Sequence, residues 1–432
     1  MSIENKKIYS SILKQHNMIK QLLSIALVLA APVFHAQGQT SDPQKESLIF
    51  CDEGVWQQDN GQLSFYDGNT RTLTNGWFRQ VNGKKLGDTP NDLIQINDTL
   101  LAVCVNWSNI IQFIHPDGTA CGATEDVPNN RKMATDGRYL YVTSYAHQCD
   151  GKTFTKGFVA KIDVSTHKIT GTCEVGWEPE GVEYYKGNLY IANSGGYSFQ
   201  ETHGYETTVS VVKADDMTFI KNIETGKKNL YGNTSLAGKY MLINSAGDYN
   251  TSPAATVLLN LDTEEVKTFD FASTNNTTDG ELFYIVGTSY NYSGGSSVVL
   301  KTLDPRTAIV TDKIYNDDVT AKINALQNPY GVYVSPYTRN IYVTDSRTYG
   351  AAGKIYGYTK DGQTVIDGLD TYIGPSHMVA LPQTGVPVAT GINIVRPASE
   401  KAADGYYYDL QGRRVNRPEH GIYIHNGRKV IL

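Results

Sequence analysis

Between Trp177 and Gly226 the chain alternates apolar and polar residues in four short runs, at 181–185, 189–194, 207–213 and 219–225. Lys186, Gly187 and Asn188 separate the first two, a long stretch at 195–206 the next two, and Ala214, Asp215 and Asp216 open the last. A period of two bounded by Gly, Asn and Asp predicts antiparallel strands joined as a meander. One four-stranded meander cannot cover both of its apolar faces, so it needs neighbours of its own kind.

The chain supplies them. The second run, LYIANS at 189–194, has relatives at 49–52, 101–106, 140–144, 241–245, 283–288 and 341–346. From Asp52 to Ser346 the spacing averages about 49 residues, which with four strands per unit predicts a β-propeller rather than a helical solenoid. Seven units give seven blades, at 46–87, 88–130, 131–176, 177–226, 227–271, 272–327 and 328–373. A strand-like piece at 376–381 follows the last blade and is expected to join the N-terminal blade and close the ring, removing an exposed sheet edge. The fold class is therefore all-β: a seven-bladed propeller occupying 39–385. A Pro- and Gly-containing linker at 386–404 leads to a small C-terminal β module at 405–432, where Asn426-Gly427 between apolar runs marks a hairpin.

Composition agrees with this pattern. The 432 residues include 40 Gly, 15 Pro and 29 Tyr, and 40% are hydrophobic, enough for a sizeable core. Residues 18–38 read as a secretory signal, with Lys20 before a short apolar run at 22–31 and cleavage after Ala36 or Gly38; Met18 is then a candidate start. That run is too short for a stable membrane span, and no cysteine follows it in lipobox position. The net charge of −6 becomes about −9 without residues 1–38, which argues against unspecific nucleic-acid binding. Five cysteines (Cys51, Cys104, Cys121, Cys149 and Cys173) have no metal spacing, and their odd number leaves at least one without an intramolecular partner.

Candidate chemistry concentrates on one face. The connections between strands 2 and 3 are long, whereas those between strands 1 and 2 and between 3 and 4 are short. Long loops on a rigid scaffold are where binding residues gather. An aromatic recurs after strand 2: Trp56, Trp107, Tyr145, Tyr197, Tyr249, Tyr290 and Tyr349. Trp177, Tyr231 and Tyr330 join them from the inter-blade segments. These rings either wedge between blades or line a wide rim around the central funnel, where Tyr and Trp offer large contact area with a polar tip. His147, His203 and His377 belong to the same face, as do Arg347 and the pair Glu178 and Glu180, the candidate polar partners. The commoner role for such groups is as solvated or internally satisfied loop residues. No metalloprotease, nucleophile-elbow, P-loop, EF-hand or sialidase motif occurs, so the sequence offers no catalytic residues and no metal or cofactor site.

Three stretches resemble known families. GVYVSPYTRNIYVTDS at 331–346 is similar to the YVTN repeat of YncE-like and surface-layer-like propellers. The tail at 406–432 resembles the C-terminal sorting-type modules of exported Bacteroidetes proteins. WEPEGV, LYIANSGGY and YETTVSVV in the fourth blade resemble the surface vitamin B12-binding propellers of gut Bacteroidetes, which are non-enzymatic capture proteins. That likeness implies an exported or cell-surface protein whose aromatic rim receives a corrinoid, beside an outer-membrane TonB-dependent transporter. A surface-layer or adhesion propeller binding glycan or protein, and a propeller hydrolase or lyase, are the alternatives.

Overall fold

The computed structural model describes residues 45–147, 155–196, 203–290, 296–348 and 350–381, and strands at 407–408, 414–415, 422–425 and 428–431. Seven four-stranded antiparallel sheets form the ring. Their innermost strands in blades two to seven are β4 (Pro90–Asn97), β8 (Asn130–Thr135), β12 (Pro179–Tyr185), β16 (Thr234–Ala237), β20 (Asn275–Thr278) and β24 (Pro329–Val334). In the first blade that place is taken by the last strand of the ring, β28 (Pro375–Leu381), which pairs with β1 (Ser47–Asp52). The register sets Leu48 opposite Ala380, Ile49 opposite Val379 and Phe50 opposite Met378. The expected closure is thus present; β8 starts at Asn130, one residue before its expected blade limit, and the remaining described blade strands fall within theirs.

Period two explains the core. Successive residues of a second strand face opposite neighbouring blades, so Leu140 and Val142 pack against blade two while Tyr141 packs against blade four. Seven apolar clusters result, one at each blade–blade contact. Among the described residues two short helices interrupt the β pattern. One, Trp77–Asn82, buries Phe78 beside blade one. The other, Asp317–Asn324, lies in the connection between blades six and seven. Asn316 accepts a hydrogen bond from the Val319 amide, Asp317 and Asp318 face the positive end of the helix, and Val319 and Ile323 reach the core. Among the described residues no helix is long and apolar enough to cross a membrane, and the four described cysteines form no disulfide. Cys149 and the linker at 386–404 lie outside the described residues. The C-terminal segment forms its own four-stranded antiparallel sheet.

The serine that ends several of the repeated second strands has a structural task. Ser144, Ser194 and Ser245 donate to the carbonyls of Pro128, Glu178 and Lys228 at 2.5, 2.8 and 2.6 Å. Each bond ties the start of a strand 2–3 connection to the preceding inter-blade segment, so both are held at the same end of the channel.

Burial also sets a pH response. Asp52 is fully buried, and burial pushes its carboxyl from 3.8 up to about 8. The bonding pattern agrees: Ser64 Oγ lies 2.5 Å from Asp52 Oδ2 and 2.8 Å from Asn75 Oδ1. One hydroxyl proton cannot serve two acceptors, so a protonated Asp52 donating to Ser64 completes the chain. The folded state holds this proton between pH 3.8 and about 8 while the unfolded chain releases it, so this group's contribution to stability falls as pH rises through that window. Asp52→Asn supplies a permanent donor and should stabilise the protein at pH 8 by up to about 5 kcal/mol, the full linkage value of the shift, with little effect at pH 4. Thermal melts at the two pH values test this; an equal loss at both would contradict it.

Candidate binding site in the central channel

The inner strands line the channel with more side chains than simple alternation allows. In β4, β8, β12 and β24 the register slips between Pro90 and Asp92, Asn130 and Met133, Pro179 and Val182, and Pro329 and Val332. A bulge re-aims the residues on either side of it. Consecutive residues therefore both face inward, notably Arg131 with Lys132 and Ser376 with His377. At the same level Gly331 lets the backbone of β24 approach β28, because a Cβ there would lie 2.3 Å from the Ser376 carbonyl oxygen.

Two cavities share this channel. The upper one, about 820 Å³, opens where the strand 2–3 connections and inter-blade segments emerge. The lower one, about 470 Å³, is walled by Leu93, Ile96, Met133, Val182 and Met378, with Tyr333, Tyr337 and Glu183 beside them. Burial raises the Glu183 carboxyl to about 7, against the opposing hydrogen bond from Thr234. Lys132, Asn233, Val332 and His377 line both cavities and mark the waist between them.

At the upper mouth Trp56 and Trp107 meet edge to face, centroids 5.1 Å apart, with Trp56 half exposed. Tyr231 and Tyr330 line the same cavity, and the Tyr330 hydroxyl donates to Glu53 at 2.7 Å. Between the rings lie the amides of Asn91, Asn106, Asn129, Asn233 and Asn275. Asn106 Nδ2 donates to Asn129 Oδ1 at 2.6 Å. Asn91 is 6% exposed, and its buried Oδ1 has no hydrogen-bond partner among the described residues.

Beneath the rings sits an ion pair. Arg131 Nη2 and Nε approach Glu180 Oε1 at 3.0 and 3.2 Å, the Tyr145 hydroxyl donates to the same oxygen, and the guanidinium lies over the Tyr145 ring at 4.8 Å. Glu180 and Tyr145 are both fully buried. Next to this pair, Lys132 Nζ and His377 Nε2 are 2.8 Å apart. Burial, with the charges of Lys132 and Arg131, holds the His377 imidazole well below its ordinary range.

Of the residues singled out from sequence, Trp107, Tyr145, Glu180 and His377 come together around the upper cavity, as does His147. Trp177 does not line it; its indole stacks on His203 at 4.1 Å. Tyr249 is mostly exposed and packs edge-on against Tyr205 at 6.3 Å. Arg347 is exposed, with its backbone amide donating to Asp345 at 2.8 Å. Tyr197 and Tyr349, and the side chain of Tyr290, lie outside the described residues. Sequence reasoning missed Asn91, Arg131 and Lys132. Their signal was the start of each inner strand, where PNDL, NRKM, PEGV and PYGV occupy equivalent places.

No protein-family model and no curated protein matches this sequence. Solved structures do. Hydrazine synthase of Kuenenia stuttgartiensis is 13% identical, covering 67% of this chain and 88% of that one, with a TM-score of 0.52. A quinonprotein alcohol dehydrogenase-like protein from Bacteroides thetaiotaomicron is 14% identical over 78% of each chain, with a TM-score of 0.51. At these identities the likeness is one of fold. This chain is a seven-bladed β-propeller.

Proposed function

We propose that this protein is an exported, non-enzymatic capture propeller that binds a large planar small molecule, a corrinoid of the cobalamin type, in the upper mouth of its channel. The observation that carries the reading is the pairing of partly exposed rings with asparagine amides around one cavity of about 820 Å³. A flat macrocycle stacks on Trp and Tyr faces. A periphery of carboxamides meets Asn side chains that both donate and accept. The cavity volume falls in the range of small-molecule sites, roughly 300–1,000 Å³. The signal-like segment at 18–38 and the sorting-like tail support export to the cell surface, with an outer-membrane transporter as the receiving partner.

Cyanocobalamin mixed with the purified protein should co-elute on gel filtration, read by its visible absorbance band. Trp107→Ala should weaken binding about tenfold or more, since a ring at the centre of a contact is worth about 1.4 kcal/mol or more. Lys186→Ala, in the turn between the first two strands of blade four, should bind as the wild type does. Absence of co-elution, or binding lost in Lys186→Ala but kept in Trp107→Ala, would refute the assignment.

A further inference from the structure

At the waist of the channel three inner strands bring Asp92, Lys132 and His377 into one hydrogen-bonded line. Lys132 Nζ donates to the Asn91 carbonyl and to His377 Nε2, each at 2.8 Å. With Nε2 accepting, the imidazole proton resides on Nδ1, which lies 3.2 Å from Asp92 Oδ1. Asp92 is fixed in turn by the backbone amides of Leu93 and Met133, at 2.9 and 2.7 Å. An ammonium has three protons. Two are taken here by neutral acceptors, and among the described residues the third has no acceptor and is open to a ligand. Because Lys132 lines both cavities, a ligand reaches it from either mouth.

We propose that Lys132 is a carbonyl-capturing amine: it forms a reversible imine with aldehyde- or ketone-bearing small molecules in the channel, with His377 carrying the proton and Asp92 positioning His377. A nucleophile in hydrogen-bond contact with a base, itself oriented by a carboxylate, is the arrangement that activates weak nucleophiles. The step balances. The Lys132 ammonium gives one proton to His377, and the free amine adds to the carbonyl carbon while its own proton moves to the former carbonyl oxygen. The imidazolium then protonates the resulting hydroxyl, which leaves as water, and the nitrogen lone pair closes the protonated imine. One positive charge sits on the Lys132 nitrogen before and after, and no oxidant or reductant is consumed.

The surroundings make the protonated imidazole a transient carrier. Burial, Lys132 and Arg131 keep His377 neutral at rest. Once the proton has moved, the Lys132 charge no longer opposes it and Asp92 adjoins the new cation, while burial and Arg131 still oppose it and keep the imidazolium short-lived. Glu53, whose carboxyl also feels Lys132 and Arg131, lines the same cavity. None of this depends on what the upper mouth binds, so it stands or falls separately from the capture function.

Native protein treated with 4-hydroxybenzaldehyde and cyanoborohydride at pH 7 tests it by peptide mapping. Lys132 should be alkylated about tenfold or more faster than Lys85 and Lys213, exposed lysines paired with Asp59 and Asp216. His377→Gln should slow labelling at Lys132 while leaving Lys85 unchanged in the same sample, which serves as the internal control. Labelling confined to surface lysines, with Lys132 unmodified, would overturn the proposal. Labelling of Lys132 at an unchanged rate in His377→Gln would overturn the role given to His377.

Discussion

A chain ending before Pro375 should fail to form a stable ring. Its first blade would keep three strands, and β1 would present an open edge to the channel. Met378, Val379 and Ala380, all at most 5% exposed, would be missing from the two clusters that flank blade one. Losing the burial of Met378 and Val379 alone costs about 4 kcal/mol at 1.5–3 kcal/mol per side chain. The unpaired backbone groups of β1 add to that. Since whole domains are stable by only about 5–15 kcal/mol, the deletion should remove most of the cooperative unfolding transition. The Glu46 cluster would not rescue it. Glu46, buried beside β1, accepts from Thr338 and Tyr342 of blade seven, both at 2.7 Å, and from Ser335. It ties blades one and seven but leaves the inner position empty. Circular dichroism melts of the truncated and full chains make the comparison, and equal midpoints would show that β28 is dispensable.

How far the sequence foretold this architecture depends on which strand is considered. Second strands were legible because they lie mid-blade, buried on both faces, with a serine or asparagine at the end that must pin the next connection. Their period fixed the number of blades, and the leftover run at 376–381 pointed to the closure. Inner strands were harder to read. They are polar where they meet the channel, and their bulges break the period of two, so neighbouring residues such as Arg131 and Lys132 share a side that alternation assigns to one of them. The helix at Asp317–Asn324 was hidden by its charged first turn, although Asn316 with Asp317 and Asp318 is a helix-start pattern. The aromatics after strand 2 stand out by spacing, but the environments of those described diverge: Trp107 borders the open mouth, Tyr145 is sealed beneath it, and Tyr249 stands outside. What separates them is contact with neighbouring blades, which spacing along one chain does not encode.

Removing Arg131 should be among the most damaging single changes in the channel. Glu180 is fully buried, and its Oε1 is met by Arg131 and by the Tyr145 hydroxyl. In Arg131→Ala the carboxylate loses its counter-charge while remaining in a site that excludes water from it. Breaking a buried pair from one side costs about 3 kcal/mol or more, because desolvation of the surviving charge is no longer offset. The adjoining cavity admits solvent near the vacated guanidinium, which places the expectation at the lower end of that range. Glu180→Gln keeps an acceptor for Tyr145 and for Arg131 and removes the charge, so alone it should cost about 1 kcal/mol. If the unpaired charge is the cause, adding Glu180→Gln to Arg131→Ala should recover about 1–2 kcal/mol, a coupling that a double-mutant cycle of denaturant midpoints would measure. Strict additivity of the two losses would instead mean that Arg131 stabilises the ring through its packing over Tyr145, with the ion pair contributing nothing.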